Sequence, residues 1–292
     1  MLNNNSLELF LKLFDSQVQP IAQYGAELWG LDIAVHCEKV HLFALKKFSG
    51  VEMRTPNDLI YGETNRYPLF VNSAVRCIRY WSNLTRMDVF RLLCKAYRML
   101  RGLDARGKRN WVSNVRCKLN QFGFGYAWLN QGVEGINQFL HVLRERLIVC
   151  RRQVWNSHVQ ISDRFSVHWT FCTVHDMKMY LKLNIGRHLK FIMTRFRLGN
   201  SDIALHYYRY KRHTDNDLFC PLCGEARENE LHFVLCCPVL SDLKEQFIPA
   251  KFYKFQSLFR LSLLLASNNE NIVKNLSVYL YKAFKLRSTL SS

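Results

Sequence analysis

The sequence predicts a mainly α-helical protein with a small Cys/His module near its C-terminal end. Apolar residues recur at helical spacing along most of the 292 residues, and neither a run of alternating strands nor an internal repeat is evident. Of ten cysteines, four crowd into the 18 residues from Cys220 to Cys237, beside a histidine. A hydrophobic share of 49% and an aromatic share of 13%, with only 13 Gly and 6 Pro, exclude a disordered or collagen-like chain. Single cores seldom grow past roughly 250–300 residues, so two modest units are expected.

The elements follow in order. Leu7, Phe10, Leu11 and Phe14 lie at i, i+3, i+4, i+7 and form the apolar stripe of a first helix, which Pro20 should kink or restart. Val40, Phe43, Ala44 and Phe48 form a second stripe, ended by Gly50, which tolerates the left-handed conformation of a helix C-terminus. Thr55-Pro56 supplies an N-cap and a proline at the first helical position. Pro68 opens a helix in which Phe70, Ala74, Cys77, Ile78 and Trp81 share a face, with Cys77 as core filler. The pattern continues over 87–100 through Phe90, Leu93, Cys94, Tyr97 and Leu100, and 101–110, with Gly102, Gly107 and four cations, reads as an exposed loop. Further helices are predicted over 111–122, 133–154, 177–183, 187–198, 239–247 and 271–285.

The start of the chain has no basic n-region, and no small-residue cleavage site follows an apolar stretch, so a secretory signal is not expected; the longest apolar run, around Leu261 to Ala266, is too short to span a bilayer. The expected compartment is the nucleus or cytoplasm, without membrane attachment. Thiols stay reduced there. Cys37, Cys77, Cys94, Cys117, Cys150 and Cys172 are scattered and read as structural, whereas the cluster reads as metal ligands.

That cluster is spaced C-x2-C-x8-H: Cys220, Cys223 and His232, followed by Cys236 and Cys237. Two thiolates two residues apart can grip one ion from a tight turn, and Gly224 allows the chain to bend there. Four N/S ligands with no open position imply a structural, tetrahedral Zn²⁺. The fourth ligand is open at this point. On an uninterrupted helix His232 and Cys236 share a face, whereas Pro238 ends the helix and frees Cys237 to turn inward.

Charge points to the partner. The 41 Lys+Arg against 23 Asp+Glu give +18 at pH 7, a self-repelling excess that a polyanion would screen. Residues 76–118 hold 12 cations and 2 acids, and residues 182–212 hold 8 and 1. Arg91, Lys95, Arg98 and Arg101 lie at helical spacing without acids at i±4, followed by Lys108 and Arg109. The second stretch contributes Arg195, Arg197, Lys211 and Arg212, interleaved with Phe191, Phe196, Tyr207, Tyr208 and Tyr210. All ten cations are candidate phosphate contacts.

These segments together resemble the C-terminal region of non-LTR (LINE-type) retrotransposon reverse transcriptases. Leu13-Phe14-Asp15 leads through Pro20 into Tyr24-Gly25-Ala26-Glu27-Leu28-Trp29-Gly30, similar to the start of that family's thumb. Gly62-Glu63 and Pro68-Leu69 follow in the family's order, and Arg195-Phe196-Arg197-Leu198-Gly199 leads into the Cys-Pro-Leu-Cys-Gly, His and Cys-Pro elements. The resemblance implies Cys220, Cys223, His232 and Cys237 as zinc ligands. It also implies a helical thumb-like region over 1–122, a basic helical connector over 123–212, a zinc module of Cys-Cys-His-Cys type over 213–248 and a helical tail over 249–292. Its implied partner is nucleic acid, RNA or an RNA/DNA duplex, gripped by its backbone. The adjacent Asp pair that holds the metal ions of polymerase chemistry does not occur in the sequence, so the chain is expected to be a non-catalytic fragment. Two other readings are a zinc-stapled protein-interaction adaptor and, on the near-motif His175-Asp176, a nuclease.

Overall fold

The computed structural model describes residues 7–31, 35–161 and 177–290. His175, Asp176 and Cys172 lie outside them. Among the described residues the secondary structure is helical apart from one isolated bridge, between Phe219 and Arg227. No described helix is long and apolar enough to cross a membrane.

The longer helices are α1 (Leu7–Leu13), α2 (Val35–Ser49), α3 (Asn57–Thr64), α4 (Phe70–Thr85), α5 (Leu92–Ala105), α6 (Trp111–Gln121), α7 (Ile136–Ile161), α8 (Arg187–Arg197), α9 (Ser241–Phe247), α10 (Leu258–Leu265) and α11 (Glu270–Leu290). They build two compact units. One comprises Met1–Lys12, Leu42–Arg66 and Trp155–Ser292; the other comprises Leu13–His41 and Tyr67–Val154.

The first stripe packs as predicted, with Leu7, Leu11 and Phe14 buried. Pro20 cannot donate to the helical ladder. The backbone widens before it into a π-turn over Phe14–Val18, with the Gln19 N–H bonded to the Phe14 carbonyl, and a new turn of helix restarts at Gln19.

The second stripe is displaced. Val40 and Phe43 are 47% and 54% exposed, and the buried face of α2 is instead His41, Leu42, Leu45, Lys46 and Ser49. Three of these five are polar, and two of them, His41 and Lys46, have partners there. The His41 ring lies 5.3 Å from that of Phe14 and meets Glu38 at 2.9 Å, while Lys46 Nζ donates to the Met53 carbonyl at 2.8 Å and to Asn57 Oδ1 at 2.7 Å. Burial lowers the pKa of Lys46.

Gly50 ends α2 in the left-handed region, φ +71°, and a Cβ there would stand 2.3 Å from the Phe191 ring. Gly50→Ala is expected to destabilise the fold by about 2–4 kcal/mol, from left-handed strain plus overpacking, read as a shift in the denaturant midpoint. An unchanged midpoint would mean that Phe191 moves aside freely.

Three further expectations are corrected. Helix α3 starts at Asn57, with Pro56 at the cap position and no side-chain cap; Thr55 instead accepts a hydrogen bond from Asn200. The helix expected over 87–100 begins only at Leu92, which leaves Phe90 81% and Leu93 50% exposed. It then runs through Gly102 to Ala105, because Asp104 clamps its last turn to α6 through two 2.9 Å bonds from Arg116. Helix α6 has a cap that hydrophobic spacing does not reveal: Asn110 Oδ1 accepts from the Val112 N–H, and Ser113 Oγ accepts from the Asn110 N–H.

The core of the unit holding α4–α6 is built from Ala74, Cys77, Ile78 and Trp81 of α4 with Tyr97, Val115, Leu119 and Leu143. The core of the other unit surrounds Phe196, Phe233, Leu276, Tyr279 and Leu280, and it includes Cys220 and Cys237. The Cys/His cluster is therefore part of a hydrophobic core.

Candidate metal centre

A tight turn presents the first two cysteines. The Gly224 N–H bonds the Cys220 carbonyl at 2.8 Å, and Gly224 takes φ +68°, open to glycine at little steric cost. The returning strand is tied back by Cys220 N–H to Ala226 O at 2.8 Å and Glu228 N–H to Leu218 O at 2.8 Å. Asn229 Oδ1 caps the next helical segment by accepting from the His232 N–H at 2.8 Å.

The choice of the fourth residue follows from the backbone. Residues His232–Cys236 form a π-turn, and the Cys237 N–H reaches the His232 carbonyl at 2.7 Å, an i to i+5 bond. In a regular α-helix position i+4 would lie over His232; the wider turn brings i+5 there instead. One ligand atom from each of Cys220, Cys223, His232 and Cys237 lies within 4.8 Å of the others, and Cys236 is not part of that group.

These four residues can hold a metal ion. A tetrahedral ion with metal–sulfur bonds of about 2.3 Å separates two sulfurs by roughly 3.8 Å and a sulfur from an imidazole nitrogen by slightly less. Cys220 Sγ and Cys237 Sγ stand 4.0 Å apart, and Cys223 Sγ and His232 Nε2 stand 3.4 Å apart.

The electrostatics suit a cation. Burial pushes the Cys220 thiol up to about 12 and raises Cys237, while it lowers His232, so each buried group resists carrying charge by itself. A divalent ion with three thiolates leaves one net negative charge. Lys244 lies beside it: only 5% exposed, it donates to the Leu235 carbonyl at 2.9 Å, and burial lowers its pKa against the pull of the Cys236 and Cys237 sulfurs.

Two acids between the ligand pairs, which spacing alone did not single out, fasten the module to its unit. Glu228, 1% exposed, takes two bonds from Arg287 of α11 at 2.8 and 2.9 Å and one from the Ala204 N–H at 2.5 Å. Glu230 meets His206 Nε2 at 2.8 Å, and the other ring nitrogen of His206 meets Ser201 Oγ at 2.7 Å. Burial lowers the pKa of His206 against the opposing pull of Glu230. The legible signal was the residue type, since Glu is almost never buried unless paired. From α11, the Tyr279 hydroxyl donates to the Phe233 and Val234 carbonyls at 2.9 and 3.1 Å.

The ten basic candidates fall into three groups. Arg91, Lys95, Arg98, Arg101, Lys108 and Arg109 are exposed in one unit, along α5 and the turn after it, and none has a carboxylate partner among the described residues. Arg101 donates to Gln131 Oε1 at 3.1 Å. In the other unit Arg195, Lys211 and Arg212 are exposed; Arg195 donates to the Gly50 carbonyl at 2.6 Å, and Lys211 Nζ sits 3.4 Å from the centre of the Tyr207 ring.

Arg197 is a correction. It is 4% exposed and inside the core, where Nε donates to Glu63 Oε1 at 2.5 Å and another nitrogen bonds the Leu265 carbonyl. Phe196 is likewise a core residue, 1% exposed.

No protein family, curated protein or solved structure matches the chain.

Proposed function

We propose that the chain is a non-catalytic nucleic-acid-binding protein, stapled by one Zn²⁺ and similar to the thumb and zinc-binding region of a LINE-type reverse transcriptase. It grips the phosphate backbone of RNA or of an RNA/DNA duplex. The observation that carries this reading is the row of six exposed cations from Arg91 to Arg109 without a carboxylate partner among the described residues. Such a row repels itself in solution and releases counterions when phosphates replace them. Zinc is the ion that four thiolate and imidazole ligands without an open position select.

The test is salt-titrated binding. Wild-type affinity for an RNA/DNA duplex should fall linearly on a log–log plot against salt. Charge reversal of Arg91, Lys95 and Arg98 to Glu should weaken binding to all sequences alike and reduce the slope by about 2–3. Unchanged binding would return these residues to a solvated helix face.

A second reading has its own observation. Phe90, Leu92, Leu93 and Met99, which are 81%, 81%, 50% and 61% exposed, interleave with the same cations. That mixture also suits a protein-interaction adaptor. Such an adaptor would hold a protein partner regardless of salt and would not shift nucleic acid.

A further inference from the structure

Beside the basic row an open cleft of about 770 Å³ lies wholly within one unit, between the 130–135 loop and the start of α7. Its volume is in the range that takes a small organic ring system, about 300–1,000 Å³. The loop is firmly built. Gln131, in the left-handed region at φ +49°, accepts from the buried Tyr97 hydroxyl at 2.6 Å and donates to the Trp128 carbonyl at 2.6 Å.

The lining sorts into three chemistries. Tyr126 is 54% exposed and meets the Phe139 ring edge-on at 6.5 Å, so one aromatic ring is held yet open to a further stacking partner. The amides of Asn130 and Gln138 line the cleft, exposed and without hydrogen-bond partners among the described residues, and Glu134 adds an acceptor. Three arginines are fastened to this segment: Arg86, itself part of the lining, to the Val133 carbonyl, Arg101 to Gln131 and Arg79 to Asn137 at 3.4 Å. A carboxylate among amides and rings disfavours a phosphate inside and favours the N–H edge of a base. The arginines fastened along the segment favour the backbone.

Resting on the nucleic-acid reading above, we propose that this cleft receives an unpaired base of a single strand. Tyr126 stacks on the base, Asn130, Gln138 and Glu134 meet its polar edge, and Arg79, Arg86 and Arg101 hold the flanking phosphates. The chain thus prefers nucleic acid with a single-stranded stretch over a fully paired duplex.

The experiment uses the full chain and an oligonucleotide with one fluorescent base, 2-aminopurine, either in a single-stranded gap or fully paired. Quenching on binding in the gap and its absence in the duplex are expected. Tyr126→Leu should abolish the quenching and weaken gap binding about tenfold, while Tyr126→Phe should preserve both. Salt-dependent binding to both substrates with no quenching, or with quenching indifferent to Tyr126→Leu, overturns the cleft assignment and leaves backbone binding intact. Binding to neither substrate overturns the reading beneath it as well.

Discussion

Cys237→Ser should strip the metal and melt the module, whereas Cys236→Ser should leave about one zinc per chain by elemental analysis. The two thiols are adjacent in sequence, so composition and local charge differ little between the variants; what separates them is the i to i+5 bond from Cys237 to His232, which turns Cys237 into the core and leaves Cys236 half-buried. Structural zinc contributes on the order of 10–16 kcal/mol of apparent binding energy in small modules, more than the net stability of most domains. The loss should therefore spread. Phe233, Val234 and Leu235 are fully buried and form one core with Tyr279 and Leu280, so amide-exchange protection should fall along α11 as well as around the ligands. Metal lost from Cys236→Ser and kept by Cys237→Ser would exchange the fourth ligand. Wild-type protein without metal would remove the zinc assignment.

Arg197→Met should cost about 3–5 kcal/mol, because it takes the Arg197 guanidinium away from the buried carboxylate of Glu63. Glu63 is 0% exposed and also accepts a hydrogen bond from the Tyr180 hydroxyl at 2.7 Å. The same carboxylate raises the pKa of Tyr180, after burial itself, so the phenol keeps its proton and serves as a donor. Adding Glu63→Gln to Arg197→Met removes the stranded charge and should recover much of the loss, a coupling that a double-mutant cycle measures. Equal instability of the single and double variants would show that Arg197 acts through packing and its bond to the Leu265 carbonyl. Nucleic-acid affinity per folded molecule should be unchanged, which separates Arg197 from the exposed cations.

How much could be read beforehand depended on how local the determining physics was. Trp81, Cys77 and Tyr97 were legible as core because one face of their helices carries little else, and Cys220, Cys223 and His232 because metal geometry constrains sequence spacing directly. The phase of helix α2 differs because His41, Lys46 and Ser49 are buried, the first two with local polar partners, and hydrophobic periodicity counts all three as surface. Arg197 was misassigned because its partner lies 134 positions away and no window along the chain contains both. Membership of Cys237 in the Cys/His group hinged on a change in helix pitch over five residues, which an apolar pattern does not encode.

The discontinuous partition of the chain has a consequence for biosynthesis. Every segment of the unit around Trp81 and Leu143 has left the ribosome once Val154 has emerged, so that unit can close while synthesis continues. Its counterpart begins with Leu7 and Leu11 but is completed by Tyr279, Leu280 and Ala283, so its earliest apolar residues wait for nearly the whole chain. A ribosome stalled before α11 would therefore display one finished unit and a Cys/His turn with no wall to pack against. That intermediate is where chaperone capture and proteolysis should concentrate.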